Sequence, residues 1–131
     1  MVKHIILWTL KDEYTEAQKK EIRAGIKEGL EGLKGQIPGM IDISVRTDYL
    51  PTSTVDVMLD TTFEDADALA AYAKNPKHVA VADTRVRPFT ANRHVWISRC
   101  NKREISVFDY KSFPKLGDMS KMTNIVKLSL K

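Results

Sequence analysis

The stretch Val2-Lys3-His4-Ile5-Ile6-Leu7-Trp8-Thr9-Leu10 decides the fold of this chain, because it has the pattern of a β-strand with two apolar faces. Side chains alternate along a strand, so Ile5 and Leu7 share one face. The opposite face takes Val2, His4, Ile6, Trp8 and Leu10. A face of aliphatic groups needs only helices to cover it, whereas an imidazole and an indole among aliphatic groups predict a lined cavity or a subunit interface.

The rest of the chain alternates between helix and strand patterns. A first helix is predicted to begin near Thr15, which stands at an N-cap position before an apolar stripe of helical spacing. Strand patterns follow over residues 40–47, 55–63 and 93–99. Residues 64–74 are helical in pattern, and a second helical piece is opened by Pro76 and closed by Pro88. This βαββαβ order predicts an α+β, ferredoxin-like sheet of four antiparallel strands with both helices on one face.

The strand phases predict what the two faces of this sheet carry. The helices are expected to cover the aliphatic set, and the opposite face is expected to carry His4, Trp8, Asp42, Ser44, Arg46, Asp56, Met58, Asp60, His94 and Trp96. Left open, that face would expose two tryptophans and two histidines to water. We therefore predict a homodimer that buries this face. Its two sheets pair face to face and close a dimeric α+β barrel with a cavity on each side.

Length and composition predict one small domain. The chain has 131 residues, of which 43% are hydrophobic, and this is enough for a single core. It shows neither an apolar run of the roughly 20 residues that span a bilayer nor a cleavable apolar leader. We therefore expect a cytoplasmic protein with no membrane partner. Cys100 is the only cysteine, so the sequence predicts no intrachain disulfide and no cysteine-based zinc site.

The excess of basic residues that gives the net charge of +4 lies in the C-terminal part of the chain. Residues 1–100 hold 14 basic and 14 acidic side chains, whereas residues 101–131 hold 7 basic and 3 acidic ones. A nucleic-acid-binding domain would carry a basic stripe on its folded core, so no nucleic-acid partner is predicted. The chain is divided into a barrel domain, 1–100, and a basic C-terminal extension, 101–131, with candidate extra strands at 104–110 and 125–130.

Four segments stand in an order that points to a known family. They are the opening stretch through Glu13, the turn Ile37-Pro38-Gly39-Met40, the helix start Thr62-Phe63-Glu64, and Tyr72 to His78 with its Asn75-Pro76-Lys77-His78. Together, over residues 1 to 99, they resemble the dimeric α+β barrel, stress-responsive (Dabb) family. The resemblance implies a homodimeric barrel. It extends to a plant polyketide cyclase of the family, which closes a linear polyketide by aldol condensation without a metal or cofactor.

The resemblance also implies site residues. His78 matches the catalytic histidine of the cyclase, and Tyr72 matches the tyrosine that works beside it. The implied substrate-binding set is His4, Ile6, Trp8, Val81, His94 and Trp96. An imidazole can remove a proton alpha to a carbonyl near neutral pH, while a tyrosine hydroxyl can polarise the oxygen on which enolate charge develops. The implied function is a cofactor-free cyclase or lyase that binds a small carbonyl or polyketide-like molecule.

Several residues depart from the family pattern. Trp8 is bulkier than its counterpart, and Asn75 replaces the first histidine of a frequent His-Pro-x-x-His motif. Val81 stands where the cyclase has an aromatic residue, and His94 and Trp96 replace aliphatic residues. These departures predict a cavity of different shape and greater polarity, so the cyclase's own substrate is not carried over.

Other interpretations of the same residues stay open. The chain is alternatively a non-catalytic, stress-responsive dimer, in which His78 satisfies backbone groups near a helix start and Tyr72 only packs. A two-histidine, one-carboxylate metal site would need His4 and His94 with Asp56 or Asp60, but these are dispersed over three strands, and we predict neither metal nor cofactor. A cofactor-free monooxygenase is a further alternative, by analogy of fold alone.

Overall fold

A computed structural model describes residues 1–101 of the chain. Its elements in chain order are β1 (Val2–Leu10), α1 (Glu16–Glu31), β2 (Met40–Arg46), β3 (Val57–Phe63), α2 (Ala66–Lys74), α3 (Pro76–Val81), a π-helical turn (Ala82–Val86) and β4 (Thr90–Arg99). This order confirms the predicted βαββαβ unit, with the second helical region divided at Pro76 as expected. The two candidate strands of the C-terminal extension lie outside the described residues.

The four strands form one antiparallel sheet in the order β2-β3-β1-β4. β1 is central, so His4 pairs with Thr61 of β3 on one side and with Ile97 of β4 on the other. The hydrophobic core lies between this sheet and the helices, and its members include Ile6 and Trp8 of β1, Ile26 and Leu30 of α1, Leu59 and Phe63 of β3, and Tyr72 of α2. The predicted ferredoxin-like α+β fold is confirmed.

The predicted orientation of β1 in the sheet is wrong. The face with His4, Ile6 and Trp8 is the one that the helices cover, and Trp8 is only 4% exposed. Ile5 and Leu7, predicted to meet the helices, lie on the other face of the sheet and are half-buried. Both faces of β1 are apolar, so alternation determines which residues share a face but not which face meets the helices.

This reversal separates residues that were predicted to share a face. Trp96 pairs with Ile5 and His94 pairs with Leu7, so both lie on the outer face of the sheet, across from His4 and Trp8. The exposed fraction of Trp96 is 64%. A facial metal site built on His4 and His94 is therefore wrong, because the two imidazoles lie on opposite faces of the sheet. Within residues 1–101 no group of three or more His, Cys, Asp and Glu side chains is arranged to hold a metal ion.

Local signals at the ends of α1 agree with the structure. Thr15 is the N-cap, its hydroxyl accepts the Gln18 backbone N–H at 3.2 Å, and the Gln18 side chain accepts the Thr15 N–H at 2.9 Å. After α1 the chain reverses through Gly35 and Gly39, both with a φ of 78°. None of the helices within residues 1–101 is long and apolar enough to cross a bilayer.

Candidate functional site

Three of the predicted site side chains meet between the sheet and the helices. His4 comes from the central strand β1, Tyr72 from the last turns of α2, and His78 from the first turn of α3. The ring centroids of Tyr72 and His78 lie 4.1 Å apart, and those of His4 and Tyr72 lie 6.4 Å apart. The structure therefore brings a phenol and an imidazole that are six residues apart together with a second imidazole from the start of the chain.

A short corner between α2 and α3 sets the distance between Tyr72 and His78. Asn75 ends α2, where its backbone N–H donates to the Tyr72 carbonyl at 3.1 Å, and it also begins α3, where its side-chain oxygen accepts the Lys77 N–H at 2.9 Å. Pro76 occupies the first turn of α3, where its missing N–H removes no helical hydrogen bond. Asn75, the departure from the family's histidine, is thus a helix cap that positions the two site residues.

Phe63 completes the packing around these rings. It is fully buried and lies 5.0 Å from the Tyr72 ring and 6.3 Å from the His4 ring, measured between centroids. The edge and tilted orientations of these pairs are those that aromatic quadrupoles favour. His4, Phe63, Tyr72 and His78 together are called the ring cluster below.

Thr61 determines which nitrogen of His4 carries the proton. The Thr61 hydroxyl donates its single proton to the His4 backbone carbonyl at 2.8 Å. The contact of 3.0 Å between the same hydroxyl oxygen and Nδ1 of His4 is therefore a bond donated by Nδ1–H. In the neutral ring, Nε2 of His4 is therefore unprotonated and can accept a hydrogen bond. Burial lowers the pKa of His4 to about 4, helped by the positive charge of Arg93 and by His78, so the ring is neutral at pH 7.

The Tyr72 hydroxyl is buried, and none of residues 1–101 gives it a hydrogen-bond partner. Only 2% of the residue is exposed to solvent. Burial raises the pKa of Tyr72 to about 12, because the charged phenolate would be desolvated. At neutral pH the group is therefore a protonated donor with nothing among the described residues to receive its hydrogen bond.

Nδ1 of His78 is also buried, and it has no hydrogen-bond partner in the described part of the chain. Burial lowers the pKa of His78 from 6.5, and the charges of Arg87 and Arg93 act in the same direction. The Ala73 backbone and the carboxylate of Asp83 act in the opposite direction without reversing this shift. The imidazole is neutral at pH 7, as a general base must be.

The remaining predicted lining residues divide between the two faces of the sheet. Ile6 and Trp8 are core residues on the same face as His4, and Val81 is a partly buried residue packed against that core. His94 and Trp96 lie on the outer face and do not join the ring cluster. The sequence reasoning missed Arg93, which pairs with Trp8 and so lies on the helix-facing side of β4. The alternation that places His94 and Trp96 on one face was the available signal for it.

Two clefts elsewhere contain none of the ring-cluster residues. One, of about 400 Å³, lies between α1 and the π-helical turn and is lined by residues that include Tyr14, Ile22 and Phe89. The other, of about 240 Å³, lies beside β3 on the outer face, near Leu7 and Met58. The site is placed at the ring cluster because unpaired buried polar atoms converge there, whereas neither cleft has such atoms in its lining.

Comparison with protein families finds one match. The model of the Stress responsive A/B Barrel Domain (Dabb) matches residues 2–112, which is most of the chain. No curated protein matches the chain.

Solved structures with the same fold are numerous. A dimeric protein of unknown function from Bacteroides fragilis superposes with a TM-score of 0.71 at 27% identity, over 76% of this chain and 95% of that chain. A Dabb family protein from Mesorhizobium loti has a TM-score of 0.59 at 17% identity, with 76% and 96% covered. The hydroxynitrile lyase of Passiflora edulis has a TM-score of 0.58 at 19% identity, with 86% and 96% covered. At these identities the last two show a shared fold only.

Proposed function

Because this chain belongs to the stress-responsive A/B barrel domain family, we propose that its ring cluster binds a small carbonyl or polyketide-like molecule and works as a cofactor-free cyclase or lyase. In this proposal His78 is the general base and Tyr72 is the hydrogen-bond donor. The supporting observation is that the Tyr72 hydroxyl and His78 Nδ1 are both buried and that neither has a hydrogen-bond partner within residues 1–101. Each such group destabilises a fold by about 1 to 3 kcal/mol. A ligand that bonds to both groups would offset that cost.

The ionisation states of the two groups suit proton abstraction next to a carbonyl. Neutral His78 accepts the proton from the carbon alpha to the carbonyl, while the Tyr72 hydroxyl donates a hydrogen bond to the carbonyl oxygen. The enolate then attacks a second carbonyl of the same molecule, and the new alkoxide takes the proton back from His78 to give a β-hydroxyketone. Loss of one water molecule from this adduct gives the enone. With a pKa of about 12, Tyr72 stays protonated throughout. In a lyase reaction the same base would remove a hydroxyl proton as a carbon–carbon bond breaks.

His4 has a supporting role in this proposal. Thr61 holds its ring with Nδ1 protonated, so Nε2 is an acceptor that can orient a hydroxyl or enol of the ligand. Ile6, Trp8 and Val81 supply apolar surface beside the rings. Trp8 fills core space on this side of the sheet, and we expect it to limit the size of the ligand.

We also propose that two copies of the chain pair through the outer face of the sheet. Trp96 and His94 are exposed there, beside half-buried Ile5 and Leu7. An exposed apolar surface of this kind is typical of a subunit interface. Sedimentation of the wild-type chain and of a Trp96→Asp variant tests this arrangement, because a charge at the interface should produce monomers. A wild-type chain that sediments as a monomer at micromolar concentration would refute it.

A pair of variants tests the catalytic proposal. Tyr72→Phe removes an unpaired buried hydroxyl, so its free energy of unfolding should equal or exceed that of the wild type by about 1 kcal/mol. Its activity should nevertheless fall. His78→Asn should abolish turnover, measured as cyclohexenone formation from a linear diketone that closes by intramolecular aldol condensation.

The control is Arg99→Gln, which removes an exposed side chain of β4 that lies outside both the ring cluster and the proposed interface and should leave turnover unchanged. If the wild type binds the diketone but forms no product, the non-catalytic, ligand-binding alternative is favoured. If the diketone leaves the His4 and His78 imidazole NMR signals unshifted, the ring cluster is not a site for carbonyl compounds of this class.

A further inference from the structure

The helix-facing side of β4 is an open surface next to the ring cluster. The sheet register pairs Arg93 with Trp8, Val95 with Ile6, and Ile97 with His4. Val95 is 40% exposed and Ile97 is 56% exposed, although their partners on β1 are buried. Arg93, Val95 and Ile97 are called the β4 strip below. A surface that is apolar over two residues and cationic at one end is suited to an amphiphilic ligand.

The charge of Arg93 has no counterion in the part of the chain that the structure describes. Among residues 1–101 no hydrogen bond or ion pair holds its guanidinium. Asp83, whose charge acts on His78, pairs with Arg87. Asp56 donates its backbone N–H to Trp8, the strand partner of Arg93, and its carboxylate accepts the backbone N–H of Leu10 at 2.8 Å. The positive charge reaches the cluster, since it contributes to lowering the pKa of both His4 and His78. Within the described residues, the site therefore carries one positive charge that no acidic side chain neutralises, beside two neutral imidazoles.

We propose that the ligand of the ring cluster carries a carboxylate, which binds Arg93, while its apolar part packs on Val95 and Ile97. This inference rests on the proposed function and narrows its substrate class to β-keto acids and related monoanions, whose carbonyl reaches Tyr72 and His78. A guanidinium presents two parallel N–H donors that match the two oxygens of a carboxylate. A single unpaired arginine matches one negative charge, and so a carboxylate rather than a phosphate dianion.

The test compares an acid with its neutral ester. Benzoylacetate and methyl benzoylacetate share the ketone and the phenyl ring, and the ester replaces the charged carboxylate with a neutral group that is one methyl larger. We expect the wild type to bind the acid at least about tenfold more tightly, as a charge-assisted bond to Arg93 would give. Arg93→Gln should remove this difference while leaving the affinity for the ester unchanged. Titration calorimetry supplies the affinities, and imidazole NMR reports contact with His78.

Arg99→Gln is the matched control. Arg99 is an exposed arginine on the same side of the same strand, paired with Val2, and its charge is not among the causes that lower the pKa of His4 or His78. Its variant should retain the preference for the acid.

The inference is overturned if Arg93→Gln binds benzoylacetate as the wild type does, or if the acid binds no more tightly than the ester. In those cases the proposed function stands as long as the ester shifts the His78 signal. If neither compound shifts that signal, the inference and the proposed function both fail.

Discussion

Two glycines with the same backbone angle offer a test of how α2, the helix that carries Tyr72, is positioned. Gly35 and Gly39 both have a φ of 78°. A Cβ atom added at Gly35 would have no other atom within 4 Å, whereas one at Gly39 would lie 2.5 Å from Cβ of Ala68 on α2. The two Gly→Ala substitutions therefore share a backbone penalty, and only the second adds a steric overlap.

The expected magnitudes follow from these two contributions. A non-glycine residue in the left-handed region is destabilised by about 1 to 2 kcal/mol, which is the whole effect expected for Gly35→Ala. An overpacked contact adds about 1 to 3 kcal/mol, so Gly39→Ala should lower the free energy of unfolding by about 2 to 5 kcal/mol. Because α2 must shift away from the start of β2 to relieve the overlap, Gly39→Ala should also weaken ligand binding at Tyr72. Gly35→Ala should not weaken it.

Urea unfolding of the single variants and of the Gly39→Ala/Ala68→Gly double variant separates the contributions. Removing the Cβ of Ala68 relieves the overlap, so the double-mutant cycle should give a coupling energy of about 1 to 3 kcal/mol. Equal destabilisation by Gly35→Ala and Gly39→Ala, with no coupling to Ala68, would refute the close approach of α2 to this turn. A full loss of stability in Gly35→Ala would refute the assumption that its surroundings are open.

Three further predictions concern the ring cluster. The folded pKa of His4, about 4, lies below its value of 6.5 in the unfolded chain, so stability is complete above pH 6.5 and is lost as the pH falls toward 4, by on the order of 3 kcal/mol. In urea unfolding, His4→Asn should flatten this dependence, and an unchanged slope would contradict it. Thr61→Val should lower the free energy of unfolding by about 1 to 3 kcal/mol, and imidazole NMR spectra should show that His4 no longer favours the Nδ1–H tautomer. Thr61→Ser, which keeps the hydroxyl, should retain that tautomer. Asn75→Ala should cost about 1 kcal/mol through the lost cap of α3, and Asn75→Asp, which keeps an acceptor, should cost less.

Much of the fold was predictable because its signals are local. The cap at Thr15, the helix start at Pro76 and the strand end at Phe63 each depend on neighbouring residues, and the structure has all three at those positions. The β1 orientation was not predictable in this way. Ile5 and Leu7 are as apolar as Ile6 and Trp8, so burial energy alone does not distinguish the faces.

The candidate site likewise has a part that the sequence predicted and a part that only the tertiary structure shows. The resemblance named Tyr72 and His78 as site residues, but only the structure shows that their rings meet, with centroids 4.1 Å apart. The prediction assigned β1 the wrong orientation and therefore placed His4 on the same face as His94. In the structure His4 lies beside Tyr72 and His78. Arg93 went unnoticed because its place beside the cluster depends on the pairing of β4 with β1.

The sequence by itself determined the order of the elements, their caps and turns, and the spacing of Tyr72 and His78, because these depend on contacts within a few residues along the chain. Only the tertiary structure decided which face of β1 meets the helices, which nitrogen of His4 carries its proton, and that Arg93 has no counterion among the described residues. Those properties arise from cross-strand register and burial, which join residues such as His4 and Thr61 that are 57 positions apart. Local pattern carries no information about such pairs until the chain has folded.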